Sequence, residues 1–281
     1  MFKPKEKEIK KYSAAWVYIV YVLMGFICLF PVLFSIMSSF KTTQEIFATP
    51  FKLPTSISFD NYVTAWKIGN MGRYFANTLL LTAASLVVIV FVASMASFVI
   101  ARFRFKLQSV LLLFFVSGMM IPMQSVIIPL AFNLGQFHLK NNYLVLILIY
   151  VAFQLPMSVF IYNGFMVGIP KELEEAARVD GCSVPRIYFN IILPLIKPAI
   201  VTSSIFNFIN IWNNLLFPLV FITDKDMQVI SYGLLQFFSQ WKADYGGVMA
   251  GITLSIIPSL LIYVFMQEKV EAGMVAGAVK G

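Results

Sequence analysis

The densest group of chemically reactive side chains in this 281-residue sequence is acidic. Glu172, Glu174, Glu175 and Asp180 fall within nine positions, and Arg178 stands four residues after Glu174. Carboxylates in the first turn of a helix interact favourably with its dipole, and a Glu–Arg pair at this spacing stabilises a helix. These residues therefore predict a short charged helix.

The residues that flank this helix predict its ends and a second helix after it. Pro170 suits the first helical position, and Gly181 suits the left-handed position that ends a helix. Ser183 can cap the second helix, whose apolar residues recur at helical spacing. Pro194 and Pro198 then end that helix and begin the next one.

Together these signals predict a helix–turn–helix over residues 170–197. Ala176 and Ala177 leave room for another surface to pack closely against its first helix. By its spacing alone, the segment could also be an amphipathic elbow that lies on a membrane surface.

A second group of polar side chains forms a neutral stripe on one predicted helix. Its members are spaced four, three and four residues apart, so they lie within about 60° on one helix face. They are Ser203, Asn207, Asn210 and Asn214. Because amides donate to and accept from hydroxyls, the stripe suits an uncharged, hydroxyl-rich solute; the alternative is hydrogen bonding between helices. Gln124 and Gln154 are weaker candidates for the same solute path.

The sequence has no pattern for catalysis, metal binding or nucleotide binding. It contains no Gly-rich phosphate loop, no H-E-x-x-H and no G-x-S-x-G pattern. Its two cysteines, Cys28 and Cys182, are too few for a metal site. We therefore predict no catalytic residue, no metal and no cofactor in this chain, and any energy that it uses must come from another subunit.

The composition places most of the chain in lipid. Hydrophobic residues make up 59% and charged residues 12% of the sequence, against about 25% charged in a typical soluble domain. Six tracts without Asp, Glu, Lys, Arg or His are each long enough for a membrane-spanning helix. They are Tyr12–Phe40, Tyr74–Ala101, Leu107–Phe137, Asn141–Ile169, Pro198–Thr223 and Tyr245–Gln267. The lack of these five residue types in the tracts argues against coupling to an ion gradient.

The basic residues predict how the six spans are oriented. Fourteen of the 21 Lys and Arg residues fall on one side, in the N-terminal arm, the turn at 102–106, the 170–197 loop and the C-terminal tail. An excess of positive charge marks the cytoplasmic side. Both termini are therefore predicted to be cytoplasmic, and the net charge of +8 reflects topology rather than a nucleic-acid partner.

The 170–197 loop also carries a motif that resembles the EAA motif of ATP-binding-cassette (ABC) importer permeases. The motif residues are Glu175-Ala176-Ala177, Gly181 and Ile191-x-Leu193-Pro194. The resemblance extends along nearly the whole chain and narrows to the MalG-like permeases of carbohydrate importers. The further residues that carry it are Lys41, Glu45, Pro50, Pro54, Asn61-Tyr62, Ala101-Arg102-Phe103, Pro129, Leu134-Gly135, Trp212-Asn213, Pro218-Leu219-Val220 and the tail 274–281.

This resemblance implies a division of labour between subunits. The first helix of the loop would dock into a cleft on a cytoplasmic ATPase subunit, and two such ATPases would bind ATP and Mg. The implied ATPase-coupling residues are Glu172, Glu174, Glu175, Ala176, Ala177, Asp180, Gly181, Leu193 and Pro194. The loops at 41–73 and 224–244 would contact an extracytoplasmic solute-binding protein, and a second homologous permease would complete the pore.

We therefore predict an all-α membrane protein with six transmembrane helices and a cytoplasmic helix–turn–helix coupling loop, the type I ABC importer permease fold. A basic cytoplasmic arm would occupy residues 1–11, the permease domain 12–267 and a cytoplasmic tail 268–281. In the bacterial plasma membrane the chain would pass a sugar or oligosaccharide. The alternatives are an importer for a polyol or glycerol phosphate and, from a different class, a secondary carrier that acts alone.

Overall fold

The computed structural model describes residues 11–237 and 244–278, and within these ranges the chain consists of helices without β-strands. Two stretches, Thr64–Ile68 and Tyr188–Ile192, are π-helical, and Lys225–Met227 is a 3₁₀ turn. The α-helices in chain order are α1 (Lys11–Ser38), α2 (Thr43–Ala48), α3 (Asp60–Val63), α4 (Met71–Arg102), α5 (Gln108–Gly118), α6 (Met123–Gln136), α7 (Tyr143–Val167), α8 (Glu172–Val179), α9 (Val184–Ile187), α10 (Leu193–Leu195), α11 (Lys197–Trp212), α12 (Leu216–Phe221), α13 (Ile230–Gln236) and α14 (Tyr245–Ala278). The predicted all-α class is confirmed. Most of the predicted basic arm, part of the predicted loop at 224–244 and the end of the tail lie outside the described residues.

Within residues 11–237 and 244–278, four helices are long and apolar enough to cross a membrane. They are residues Trp16–Ser38 of α1, all of α4 and α7, and Tyr245–Met266 of α14. Two further apolar pairs of helices are sharply bent: α5 and α6 meet at 91°, and Val184–Leu195 meets α11 at 70°. The described chain thus has four unbroken spans, or six if each bent pair counts as one. The predicted tract Leu107–Phe137 is broken between α5 and α6, and the predicted tract Pro198–Thr223 is broken between α11 and α12.

Proline explains where these two tracts break. α5 ends at Gly118, and Pro122 follows four residues later; α12 contains Pro218, four residues after Asn214. A proline ring clashes with the carbonyl group four residues before it and offers that group no N–H. A continuous helix is therefore disfavoured at both places. Four other prolines remain inside their helices, namely Pro31, Pro129, Pro156 and Pro258.

The chain divides into two compact units, Met1–Gly69 with Phe237–Leu254 and Asn70–Gln236 with Ser255–Gly281. In the first unit, α2 begins with a capping box. The Thr42 hydroxyl accepts from the backbone N–H of Glu45, and the Glu45 carboxylate accepts from the backbone N–H of Thr42. The Thr55 hydroxyl also donates to this carboxylate, and these bonds hold the pKa of Glu45 below its usual range.

Lys41 is fully buried in the first unit, with 1% of its surface exposed. Its ammonium group donates to the carbonyl oxygens of Thr49 at 3.0 Å and Pro50 at 3.1 Å. The amide of Asn61 donates to the carbonyl oxygen of Lys41 at 2.8 Å. A buried cation requires such partners, because burial without them is costly. Several residues that carry the family resemblance in this segment therefore hold its backbone together.

In the second unit, two buried apolar clusters lie along α4 and α7. The first cluster includes Ile89 and Tyr150 from these helices and Phe217 from α12. The second cluster includes Ala177 from α8 and Ile187 from α9. Because residues of both helices of the 170–197 loop belong to a buried cluster, this loop is anchored to the spans.

Candidate coupling loop and solute path

The first helix of the 170–197 loop ends as the sequence predicts. α8 is followed by Gly181, whose φ of 78° lies in the left-handed region. The N–H of Gly181 donates to the carbonyl of Arg178 at 3.0 Å, and the N–H of Cys182 donates to the carbonyl of Ala177 at 2.9 Å. These two bonds form a Schellman motif, which favours glycine because glycine tolerates a positive φ. The turn predicted at Gly181 is confirmed.

The second helix of the loop begins after Ser183 and runs through a π-helical stretch to the end of α10. Ser183 occupies the N-cap position without a side-chain hydrogen bond, and Pro198 stands in the first turn of α11. Pro170 precedes α8 by two residues instead of opening it. Leu193 is half-buried and Pro194 is exposed. The helix–turn–helix is thus present, with its first helix slightly shorter than expected.

α8 has one buried face and one exposed face. Glu174 and Ala177 are buried. The other six residues are exposed, and four of them, at the first, fourth, fifth and eighth positions of the helix, share the face opposite the buried pair. They are Glu172, Glu175, Ala176 and Val179. Val179 is apolar yet 88% exposed, so this face combines two carboxylates with an exposed apolar side chain. Asp180 and Gly181 extend the exposed surface beyond the helix.

Glu174 has a different partner from the one expected. Its Oε1 lies 2.5 Å from Nε of Arg102, at the end of α4, and both side chains are almost fully buried. Nη2 of Arg102 also donates to the carbonyl oxygen of Ile169, just after α7, at 3.1 Å. The expected pairing of Glu174 with Arg178 was wrong, because Glu174 faces inward and Arg178 is exposed. Arg102 entered the sequence reasoning only as a topology charge and a family residue, and nothing in one sequence shows its contact with α8.

The polar stripe on α11 is split by burial. Ser203 and Asn207 are each 1% exposed, and both donate to the hydroxyl of Ser158 on α7 at 2.9 Å. The Asn207 amide also donates to Ser203 at 3.2 Å. Within the described chain, this half of the stripe makes the helix–helix hydrogen bonds that were the alternative interpretation.

The other half of the stripe is accessible. Asn210 is exposed, and its amide nitrogen lies 3.4 Å from Oε1 of Gln154, which is buried. Asn214 is half-buried beyond the end of α11, and its amide nitrogen lies 3.4 Å from the sulfur of Met123. Gln124, next to Met123 at the start of α6, is exposed. The structure therefore brings Asn210 to Gln154 and Asn214 to the start of α6.

Trp212 fixes the end of α11. It is 1% exposed, and its indole N–H donates to the carbonyl oxygen of Ser255 at 3.0 Å. Its ring lies 5.3 Å from that of Phe208 in a stacked arrangement and 5.2 Å from that of Phe75 in an edge-on arrangement. These apolar and polar contacts of the Trp212 indole hold the end of α11 in place. They therefore also fix the position of Asn214, two residues later.

The apolar spans and the anchored helix–turn–helix define a type I ABC importer permease, a multi-pass membrane protein. The family described as "binding-protein-dependent transport system inner membrane component" matches residues 89–275, and the chain belongs to this family. The predicted family and fold are confirmed.

Two relatives and one solved structure resemble nearly the whole chain. The diacetylchitobiose uptake system permease protein NgcG of Streptomyces coelicolor is 35% identical over 258 residues, which cover 91% of this chain and 85% of that protein. The probable starch degradation products transport system permease protein AmyC of Thermoanaerobacterium thermosulfurigenes is 36% identical over 276 residues, covering 98% and 99%. A chain of a bacterial ABC transporter involved in the import of the acidic polysaccharide alginate shares the fold, with a TM-score of 0.81, 19% identity and coverage of 95% and 99%.

Proposed function

We propose that this chain is the permease subunit of a binding-protein-dependent importer that moves a carbohydrate across the bacterial plasma membrane at the expense of ATP. The exposed face of α8 carries the proposal. It presents charge and an apolar side chain on a short helix whose other face is buried in the spans. Such a helix is suited to transmit the movement of a bound partner to the spans, because its buried residues are packed against them.

The partner of this face is an ATPase subunit on the cytoplasmic side. Glu172, Glu175 and Asp180 supply negative charge for a basic cleft, and Val179 supplies an apolar anchor. Ala176 permits close approach, while Gly181 sets the direction in which the second helix leaves. Leu193 and Pro194 belong to the second helix, where they shape the base of the loop rather than its exposed tip.

The remaining partners complete the importer. Two ATPase subunits bind ATP and Mg, so this chain needs no cofactor of its own. A second homologous permease forms the rest of the pore, and a solute-binding protein delivers the solute at the extracytoplasmic loops. Both termini lie in the cytoplasm, with the arm 1–11 and the tail 268–281 flanking a membrane domain of residues 12–267.

The solute is an uncharged sugar or oligosaccharide. The accessible side chains of the proposed path are the neutral amides Asn210, Asn214 and Gln124, which match sugar hydroxyls in donating and accepting hydrogen bonds. Relatives named for the uptake of diacetylchitobiose and of starch degradation products support the same class. A glycerol phosphate is disfavoured, because a phosphate calls for cationic partners and these amides carry no charge.

Purification of the tagged chain from its native host tests the proposal. An importer permease co-purifies with an ATPase, and the complex in proteoliposomes hydrolyses ATP faster when the binding protein and a matching sugar are added. Glu175→Lys is expected to abolish retention of the ATPase, while Asp60→Lys, which reverses an exposed acid of the first unit, is expected to retain it. A chain that transports sugar without any ATPase would be a secondary carrier, and this outcome would overturn the proposal.

A further inference from the structure

The buried contact between Arg102 and Glu174 connects three helices at one point. Arg102 is the last residue of α4, Ile169 follows the end of α7, and Glu174 lies in the first turn of α8. One guanidinium reaches both of the others, by an ion pair to Glu174 at 2.5 Å and a hydrogen bond to the Ile169 carbonyl at 3.1 Å. No other ion pair among the described residues is buried, since the Arg73–Asp226 pair is more than half exposed.

Because it is buried, the contact between Arg102 and Glu174 depends on the presence and the shape of both side chains. The side chains of Arg102 and Glu174 are only 2% and 6% exposed, so water cannot replace either partner. Removing one partner would leave an uncompensated charge in a low-dielectric site. Arginine suits the position because Nη2 of its guanidinium donates to the Ile169 carbonyl while the delocalised charge of the same group pairs with Glu174, whereas lysine is a single point of charge.

The neighbourhood of the ion pair is also fixed. Ala177, one turn after Glu174, belongs to the buried apolar cluster that includes Phe98 of α4 and Tyr162 of α7. On α4, Ser97 donates to the carbonyl oxygen of Val159 on α7 at 3.1 Å. α8 therefore packs against the ends of α4 and α7, which are themselves held together by a hydrogen bond.

We propose that Arg102 is a positioning residue for energy coupling: it locks α8 to the ends of α4 and α7, so that displacement of α8 moves both spans directly. This inference rests on the proposed function, in which an ATPase displaces α8. Glu174 then acts inside the permease as the partner of Arg102. Its role differs from that of Glu175, which faces outward.

The inference is tested in the reconstituted complex with diacetylchitobiose or maltotriose as the sugar. The variants are Arg102→Gln, Glu174→Gln, the double variant and Arg102→Lys, with Arg104→Gln as a matched control because Arg104 is exposed two residues away. We expect each Gln variant to retain the ATPase but to lose about fivefold or more of the sugar-stimulated over basal ATP hydrolysis. The double variant should be no worse than either single variant, Arg102→Lys should be intermediate, and Arg104→Gln should match the wild type.

A second measurement needs no sugar. Nitroxide labels at Cys182 and at Arg104→Cys, with Cys28 replaced by Ser, report the distance from the end of α8 to the end of α4. We expect one narrow distance distribution with and without ATP and vanadate, and a broad distribution in the double Gln variant. Stimulated hydrolysis and distances unchanged in the double variant would overturn the inference. So would a double variant that fails to accumulate in the membrane, because the pair would then serve folding alone.

These outcomes are separate from the proposed function. If the wild-type chain retains no ATPase, the proposed function fails whatever the variants do. If the wild type shows sugar-stimulated hydrolysis and all Gln variants match it, the importer stands and only the role of Arg102 is rejected.

Discussion

α8 and α11 both carry a regular row of polar residues, but α8 keeps its row at the surface whereas α11 buries half of its row. On α8, Glu172 and Glu175 are exposed beside the apolar Val179. On α11, Ser203 and Asn207 are buried against α7. A loop outside the lipid can leave charges in water, whereas a polar group inside an apolar span finds a partner on a neighbouring helix.

The comparison also separates positions within each row. Glu174 on α8 belongs by its residue type to the acidic group but lies on the buried side with Arg102. Asn210 on α11 shares a stripe with Asn207 yet remains exposed. The face on which a residue lies therefore says more about its function than its residue type does. Substitutions on one face at a time distinguish residues that hold helices together from residues that contact a partner or the solute.

The largest effect is expected at Gly181, which sets the direction of the exposed row on α8. Gly181→Val places a β-branched residue at a φ of 78°, with strain of about 1–3 kcal/mol. We expect retention of the ATPase to fall more than tenfold in a pull-down of the tagged chain. Gly181→Asn, which tolerates the left-handed region, should retain most of the ATPase, and Gly164→Ala on α7 should match the wild type because a Cβ there meets open space. Equal retention in Gly181→Val would contradict the assigned role of the turn.

The second effect concerns the accessible half of the α11 row. Asn210→Leu removes an exposed amide, and the loss of a sugar hydrogen bond worth about 1 kcal/mol corresponds to about a fivefold weaker apparent affinity. We expect reduced sugar uptake at low sugar concentration and a smaller fall in melting temperature than in Asn207→Leu, because Asn210 loses only one part-buried hydrogen bond of 3.4 Å, to Gln154. Asn210→Gln should preserve most of the uptake. Wild-type uptake in Asn210→Leu would remove this residue from the solute path.

The third effect concerns the buried half of the same row. Asn207→Leu removes the hydrogen bonds to Ser158 and Ser203, and helix–helix bonds of this kind contribute about 0.6 kcal/mol each in membranes. We expect a melting temperature lower by a few degrees and a normal sugar affinity in the complexes that assemble. The comparison between the two halves would fail if Asn207→Leu weakened sugar binding without changing stability.

The smallest effect is expected at α2, a six-residue helix whose start depends on a carboxylate. Because the pKa of Glu45 is lowered by Thr55 and Thr42, its stabilising contribution is present above the ordinary glutamate pKa and is lost as pH falls through the lowered value. Hydrogen exchange of the α2 amides should therefore quicken slightly on acidification beyond the intrinsic pH dependence of exchange. Glu45→Gln should remove this dependence, and an unchanged pH profile in that variant would show that Glu45 is not its source.

Local interactions made part of the fold and site predictable from the sequence. The turn at Gly181 depends on residues within five positions of one another, and the apolar tracts depend only on composition.

The effect of each proline was harder to predict from the sequence. Pro122 and Pro218 stand at helix breaks, whereas Pro156 and Pro258 remain inside helices. Whether a helix bends or breaks at a proline depends on what its neighbours can supply to the freed carbonyl group, and this is not a local property.

By itself the sequence determined the class of protein, the positions of the apolar tracts, the helix–turn–helix and its glycine turn, because each follows from hydrophobicity or from interactions along a few residues. Tertiary structure alone decided which side chains are available to partners. The bond from Arg102 to Ile169 joins residues 67 positions apart, and that from Asn207 to Ser158 joins residues 49 apart. Such contacts depend on which helix faces pack together, and burial then directs Glu174 and Asn207 to internal roles that their residue types alone do not reveal.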